Sequence, residues 1–445
     1  MNYRPFQFRN QVIESISINE EFPIYCFYRS NITNINLGNK IEMIPSLGFA
    51  FSTIESINLE NIKFVSSNAF SNCEKLVNVS FSDKLEYIGQ YAFYRCKNLE
   101  FVKINSNKII EVGISAFSYC FKLNYSNIIS VMSIIPEACF YFSFNENSNE
   151  LHHSCKIIEK LTFYMFHGNI TLNEGLEFIG DSSFQESSLT SIIIPSTVRY
   201  IDGNAFYKCS RLERIEIPSS VTYLGDYCFS KIYDLKSAII GEGITKLPLG
   251  AFYECMSLSS IIFLGRITSF GSGSLGLTNI SNLKLPPFCI CEDGSFGFND
   301  VKMIEIGYDS IISFGYLGSS GLNIVWNDNV TLIRSDYTYI LQLNLYYVGN
   351  AKYDHEIDQS LYYLLNFNNQ TKVYVTPRYR SCTFCGVKVI HTYFNPFEDQ
   401  ISLFSRIRRL HLEIEQPTHM LVIMMHILSR KFINLFHLYH FVIQS

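Results

Sequence analysis

Apolar residues recur along this chain at fixed offsets from a phenylalanine. The positions are Phe27, Phe49, Phe70, Phe93, Phe117, Phe140, Phe166, Phe184, Phe206, Phe229 and Phe252, continued by Leu275, Phe296 and Leu317. Most steps are 21 to 24 residues; the step into Phe166 is long and the next is short. Aliphatic residues stand eight and five positions before most of these Phe residues, as Val198 and Ile201 do before Phe206 and Leu85 and Ile88 before Phe93. Apolar residues follow at plus six, plus nine and plus eleven: Leu212, Ile215 and Ile217 after Phe206, and Leu258, Ile261 and Phe263 after Phe252. A version one residue shorter follows Phe184 as Leu189, Ile192 and Ile194, and Leu275 as Ile280, Leu283 and Leu285.

The last two apolar positions of each unit alternate with period two, which marks a strand with one buried face. Proline or a small polar residue such as Pro218 then turns the chain. The segment around the Phe is too short for an independent helix. One unit cannot bury its own apolar edge, but stacked units bury each other's. The expected fold is therefore a solenoid of the leucine-rich repeat kind, an α/β repeat class. Its short parallel strands line the concave face, with short strands and single helical turns on the convex face. At about 4.8 Å per rung, thirteen rungs span about 60 Å as one domain.

The stretch from Val198 to Pro218 carries an aliphatic pair, Ala205-Phe206, Cys209 and then Leu212, Ile215, Ile217 and Pro218; Leu85 to Ile104 repeats it around Ala92-Phe93 and Cys96. This pattern resembles the BspA-type leucine-rich repeat, and it covers roughly Phe22 to Asn327. The resemblance implies a surface-antigen-like protein of the kind found on bacterial and protist cells, acting in adhesion and in host or matrix binding. The organisation expected is an N-terminal cap over 1–21 and an array over 22–327 of about 13 to 14 repeats, interrupted near 145–160. Divergent terminal repeats and a cap follow over 328–394, then a helical or poorly ordered tail over 395–445. The strand-like runs Tyr339–Tyr346 and Lys372–Val375 lie in the cap, and Val373 to Gly386 looks like the closing rungs of protist members. In the tail, Leu403 to Glu415 has the pattern of a basic amphipathic helix with Arg406, Arg408 and Arg409.

Composition adds exclusions. Hydrophobic residues make up 47% and charged residues 17%, which rules out global disorder. Lys and Arg number 35 against 40 Asp and Glu, so a nucleic-acid partner is not expected. No apolar leader core follows Met1, and Arg430 and Lys431 break the apolar stretch Leu421 to Ile443, so neither a secretory signal nor a transmembrane span is expected. The start therefore points to the cytoplasm and the family resemblance to the cell surface.

Candidate chemistry is sparse. Cys73, Cys96, Cys120, Cys209 and Cys255 fall three after the Phe, and Cys26, Cys139 and Cys228 one before it. Equivalent positions stack, so a disulfide ladder is thinkable, but packing as small hydrophobes is the expected role. Cys382 and Cys385, with His391, form half a zinc site and lack a second pair. His152 and His153 read as a solvated pair. Gly271 to Gly276 matches G-x-G-x-x-G, yet Ile280 to Leu285, the next strand, follows where a dinucleotide site needs a helix. Glu213 and Glu216 flank Arg214 on an open face rather than in a cleft that separates their pKa values. No P-loop, H-E-x-x-H or G-x-S-x-G occurs. No catalytic, metal or cofactor site is expected.

The outward residues of the strand face are the candidate contacts: Glu100, Phe101 and Lys103; Glu213, Arg214 and Glu216; Lys236 with Ser237; Ser259 and Ser260; Lys302, Met303 and Glu305. The mixed strip suits a protein or a cell-surface ligand. Seven Asn-x-Ser/Thr sequons matter only on a secretory route, and Asn78 falls on this face. The function expected is non-catalytic binding, adhesin-like, or alternatively an intracellular scaffold for protein–protein interaction.

Overall fold

The computed structural model describes residues 3–106, 108–297, 301–313, 320–333, 342–349, 365, 371–377 and 379–391. The readings for Leu317, for Arg406, Arg408 and Arg409, and for the tail over 395–445 lie outside the described residues.

The repeat winds into rungs that hydrogen-bond to each other in parallel. One ladder holds strands of four or more residues. Ser56–Leu59, Asn78–Phe81 and Phe101–Ile104 pair in register, as do Arg214–Ile217, Ser237–Ile240 and Ser260–Phe263. Asn282–Leu285 begins a further run through Met303–Ile306, Ser320–Trp326, Gln342–Tyr347 and Lys372–Val375. Alternate side chains are buried, as the period-two pattern predicts: Val102 and Ile104 point inward while Phe101 and Lys103 point outward. The second ladder consists mainly of two-residue strands, such as Ile134–Ile135, Ile157–Ile158, Phe178–Ile179, Tyr200–Ile201 and Tyr223–Leu224. Parallel winding is already present at Val12–Ile18, which pairs with Asn31–Leu37.

The Phe positions form the third edge of the core. Twelve rings from Phe8 to Phe252 stack face to face with centroids 4.9–5.9 Å apart and planes within 12°. The structure corrects one assignment: the position between Phe140 and Phe184 belongs to Phe163, not Phe166. Phe163 stacks 5.7 Å from Phe140 and 5.2 Å from Phe184. Phe166 lies three residues on, where most other rungs carry Cys or Ser, and meets Phe163 edge-on.

The backbone around each ring explains why no helix forms there. The residues two before and two after the Phe are left-handed, for example Tyr91 (φ 55°) and Arg95 (φ 58°) around Phe93. Leu161 and Met165 flank Phe163 in the same way, an independent mark of the correct rung. Alternation of hand turns the N–H groups of Tyr91, Phe93 and Arg95 toward the next rung. They donate to the carbonyls of Ile114, Ala116 and Ser118 at 3.0, 2.8 and 2.9 Å. The intervening N–H groups of Ala92, Tyr94 and Cys96 close turns onto Gly89, Tyr91 and Phe93. A left-handed non-glycine residue costs about 1–2 kcal/mol. Each rung offsets two of these with a buried Phe, about 1.5–3 kcal/mol, and three bonds to its neighbour at about 0.5–1.5 kcal/mol each.

Two departures shape the ladders. After Phe117 the chain forms a helical turn, Ser126–Ile129, where the strand of that rung is due. The long-strand ladder is reduced there to an isolated bridge between Phe101 and Asn124. The region expected to interrupt the array carries strand Phe144–Glu150, which pairs in parallel with His167–Thr171 through a register shift between Phe144 and Ser148. At the far end Thr383–Phe384 pairs antiparallel with Val387–His391. Cys385 (φ 48°) and Gly386 (φ 78°) are both left-handed, which is what a two-residue hairpin turn of the mirror type demands. This hairpin stands last in the order of its sheet, after Lys372–Val375, and replaces a parallel edge open to further rungs. Among the described residues no helix is long and apolar enough to cross a membrane.

Candidate functional site: the outward strand face

Strands buried on one face only must present their alternate residues to solvent, and this is where the sequence-derived contacts lie. Phe101 is 54% exposed, and Lys103 and Arg214 are exposed beside it on their strands. Lys302 is exposed, whereas Met303 and Glu305 are half-buried. The structure gathers Glu213, Arg214, Glu216 and Lys236 into one patch. Lys236 Nζ lies 2.8 Å from Glu213 Oε2 across two rungs, and Arg214 reaches Glu216 at 3.6 Å. Glu305 pairs with Lys284 at 2.8 Å, and Glu100 lies 3.9 Å from Lys122. The three groups do not converge. Phe101 is five rungs before Arg214 and Met303 four rungs after it, about 20 Å away in each direction at the ladder spacing. Such exposed pairs contribute little stability; they hold long side chains in place along the face.

Sequence reasoning missed the apolar part of this face. One outward row runs Glu216, Ile239 and Ile262 on one sheet; Lys284 and Glu305 hold the equivalent repeat position on the next sheet, and Ile193 holds it one rung before Glu216, outside any strand. Glu216 lies beside Ile239 and Ile239 beside Ile262, while Lys284 lies beside Glu305. Ile193 is 85% exposed. The signal was present, because two outward strand positions, Ile239 and Ile262, and the equivalent Ile193 are aliphatic where the pattern calls for polar residues.

The cysteines do more than fill space. Cys73, Cys96, Cys120, Cys209 and Cys255 each point Sγ at the carbonyl of the Phe one rung earlier, at 3.0–3.2 Å. Ser143 makes the same contact with Phe117. The position takes a small donor because that carbonyl faces the core. All thirteen cysteines are free, and twelve are buried. Burial pushes the thiols of Cys26, Cys73, Cys209 and Cys255 up to about 12 and that of Cys155 to about 11. Cys289 goes the other way, to about 7, held down chiefly by Cys291, whose Sγ is 3.9 Å away.

The remaining motifs find structural roles. Cys385 is buried in the hairpin turn and Cys382 is exposed. Gly271 follows strand Ser269–Phe270, Leu275 is buried in the Phe position, and the next element is strand Asn282–Leu285. Rungs pack closely at Gly271: a Cβ there would meet Leu249 N at 2.9 Å. His152 and His153 lie with ring centroids 4.0 Å apart, and burial together with His153 lowers the His152 pKa. Among the described residues no three His, Cys, Asp or Glu side chains converge on one point. An open depression between Asp83, Asn105, Ser106 and Lys108 carries no buried functional group.

Parallel rungs, a Phe spine and an open strand face define a leucine-rich repeat solenoid. The chain belongs to the BspA-type leucine-rich repeat family, whose repeat region matches residues 20–147, 63–187, 133–259 and 177–301. It is thus a repeat protein of the protein-interaction kind, from a family whose members are typically non-catalytic. Similar solved structures include the pneumococcal vaccine antigen PcpA, at 21% identity over 66% of this chain and 74% of that one, with a TM-score of 0.41. A leucine-rich repeat protein from Bacteroides ovatus is 16% identical over 86% and 84% of the two chains, with a TM-score of 0.40. A leucine-rich cell surface protein from Faecalibacterium prausnitzii is 18% identical over 58% and 88%, with a TM-score of 0.33. No curated protein matches the chain.

Proposed function

We propose that this chain is a non-catalytic, adhesin-like binding protein that recognises a protein partner through its outward strand face. The observation that carries the reading is the outward position of successive rungs, Ile193, Glu216, Ile239, Ile262, Lys284 and Glu305. It sets Ile239 and Ile262, in register on one sheet, between Glu216 on the same sheet and the charges of Lys284 and Glu305 on the next. Apolar centre and polar rim is the anatomy of protein interfaces, and a rigid ladder loses little entropy on binding. Glu213, Arg214 and Lys236 border the same patch; Met303 lies on the Glu305 strand at one end, and Phe101 stands apart, five rungs before Arg214.

A photo-crosslinking residue at Ile239, presented to intact source cells, tests this. Protein adducts are expected from Ile239 and not from the exposed Lys75 on the turn side, and Ile262→Asp should abolish them. Equal labelling from both positions, or none, refutes the reading. Adducts to glycan alone would reassign the face to a surface polymer.

The alternative, an intracellular scaffold, draws support from the thiols. Cys73, Cys96, Cys120, Cys209 and Cys255 serve as hydrogen-bond donors, and a donor thiol is a reduced thiol, as reducing compartments keep it. Antibody labelling of intact against permeabilised cells separates the two. Signal on intact cells supports the adhesin; signal only after permeabilisation supports the scaffold.

A further inference from the structure

One rung departs from the repeat at two core positions at once. The pair of buried side chains that opens a rung is bulky in the two rungs before it, Ile244 with Leu247 and Ile267 with Phe270. Here it is Cys289 with Cys291, both buried. The spacing differs as well: the bulky residues stand three apart, the cysteines two apart. Residues two apart on an extended chain share a face, so the thiols meet, with their Sγ atoms 3.9 Å apart. Ile290 between them points outward and is 49% exposed. Ser310 of the next rung sets its Oγ 3.5 Å from Cys289 Sγ. The cover over Cys289 is a surface turn, in which Pro286 and Pro287 are half-buried and Phe288 is exposed. Arg266 holds this turn from outside. Its Nη2 donates to the Pro287 carbonyl at 3.1 Å, and its guanidinium lies 5.0 Å from the centre of the Phe288 ring.

We propose that Cys289 and Cys291 are a peroxide-responsive dithiol, in which a hydroperoxide oxidises Cys289 and Cys291 then closes an intrachain disulfide. The Cys289 thiolate attacks one oxygen of the peroxide. The O–O bond breaks, the sulfur gains a hydroxyl as a sulfenic acid, and the second oxygen leaves as hydroxide, or as alkoxide from an organic peroxide. Cys291 Sγ then attacks Cys289 Sγ. The S–S bond forms, the S–O bond breaks, and the Cys291 proton leaves with the hydroxyl as water. Two thiols are oxidised and one peroxide is reduced. The surroundings divide the roles. Cys291 chiefly, then Ser310 and the Arg266 charge, hold the Cys289 thiol at about 7 against its burial, so part of it is thiolate at neutral pH, the reactive form. Burial pushes the Cys291 thiol well up, and it keeps its proton until it reacts. The thiols of the Phe spine are placed differently: Cys96 and Cys209 point at core carbonyls, and burial pushes both up. Access to Cys289 comes through the turn over 286–288, because a surface turn opens locally at less cost than a core rung. A bridge over one intervening residue constrains the unfolded chain little, so thiol reductants should reopen it.

The test is peptide mass spectrometry on the full chain. The reduced protein, freed of reductant, is treated with hydrogen peroxide at neutral pH, quenched, unfolded in urea and alkylated. Trypsin releases 285–302 as one peptide, in which Cys289 and Cys291 are the only cysteines. This peptide should become lighter by two hydrogen atoms, escape alkylation, and regain both thiols with dithiothreitol. It should do so about tenfold or more faster than Cys96 or Cys209 is modified, with circular dichroism unchanged. Cys291→Ser should stop the reaction at the Cys289 sulfenic acid, trapped by dimedone. Cys289→Ser should leave Cys291 open to alkylation. Cys382, which is exposed, reports that oxidant was delivered. A peptide still fully alkylated at a dose that oxidises Cys382 overturns the proposal. So does modification of Cys96 and Cys209 at the same rate, which marks reaction from the unfolded chain, or oxidation of Cys291 in Cys289→Ser as fast as in the wild type.

Discussion

Removing one ring from the Phe spine tests whether the spine holds the rungs together. Phe206 is fully buried and stacks 5.3 Å from Phe184 and 5.3 Å from Phe229, with planes 6° and 4° from parallel. Its replacement by alanine loses the transfer energy of the ring and opens a cavity, about 3–5 kcal/mol together. Two stacked neighbours, each worth about 0.5–1.5 kcal/mol beyond area, place Phe206→Ala at the upper end of that range. Phe206→Leu should cost only about 1–1.5 kcal/mol, because Leu275 fills the same position one rung after Phe252 and is 1% exposed. Phe8, half-buried with a single spine partner at 4.9 Å, should lose about half as much as Phe206 on truncation. The assay is urea unfolding followed by far-ultraviolet circular dichroism. Rungs couple only to their neighbours, so the alanine variant should also split one transition into two. A loss under about 1 kcal/mol for Phe206→Ala, or equal losses for alanine and leucine, would refute the reasoning.

Other consequences are equally open to measurement. Cys96→Ser keeps the donor to Phe70 O, now at 3.1 Å, and should stay within about 1 kcal/mol of wild type, while Cys96→Val should lose about 1–3 kcal/mol; a valine variant more stable than the serine one contradicts the donor role. Stability should fall steeply above about pH 9. The thiols of Cys26, Cys73, Cys209 and Cys255 ionise near 9 when unfolded but only at about 12 when folded. Their raised pKa values therefore contribute stability that is complete below 9 and is lost as pH rises toward 12, at about 1.4 kcal/mol per thiol and pH unit; a urea midpoint unchanged between pH 8 and pH 10 would contradict it. Gly225→Ala places a Cβ 2.2 Å from Gly203 N and should cost about 1–3 kcal/mol, read as a drop in melting temperature; no drop would mean that the rungs can part there without penalty.

The fold was legible because its determinants repeat. Alternation such as Ile215 and Ile217, seen again in Val102 and Ile104, has one reading as a half-buried strand, and the steps between Phe residues allow only a stacked arrangement. The assignment slipped where the sequence supplied two candidates, Phe163 and Phe166, three residues apart. The distinction rests on Leu161 and Met165 being left-handed, a conformation that their residue types do not advertise. The turn conformation at Tyr91 and Arg95 was hidden for the same reason, since propensity argues against it and contacts between rungs impose it. The donor role of Cys96 needed the position of Phe70 O, which only stacking reveals.

The direction of the turn hydrogen bonds has a mechanical consequence. The N–H groups of Tyr91, Phe93 and Arg95 bind the rung ahead rather than their own segment, so tension applied at the two ends loads the bonds between rungs one set after another. The terminal rung peels first, and the next carries load only when the previous one has left. Each release frees about 23 residues, or about 75 Å of chain at about 3.4 Å per residue. Under load this solenoid would pay out length in small steps at modest force, like an anchor line on a ratchet, whereas a globular domain gives way in a single rupture.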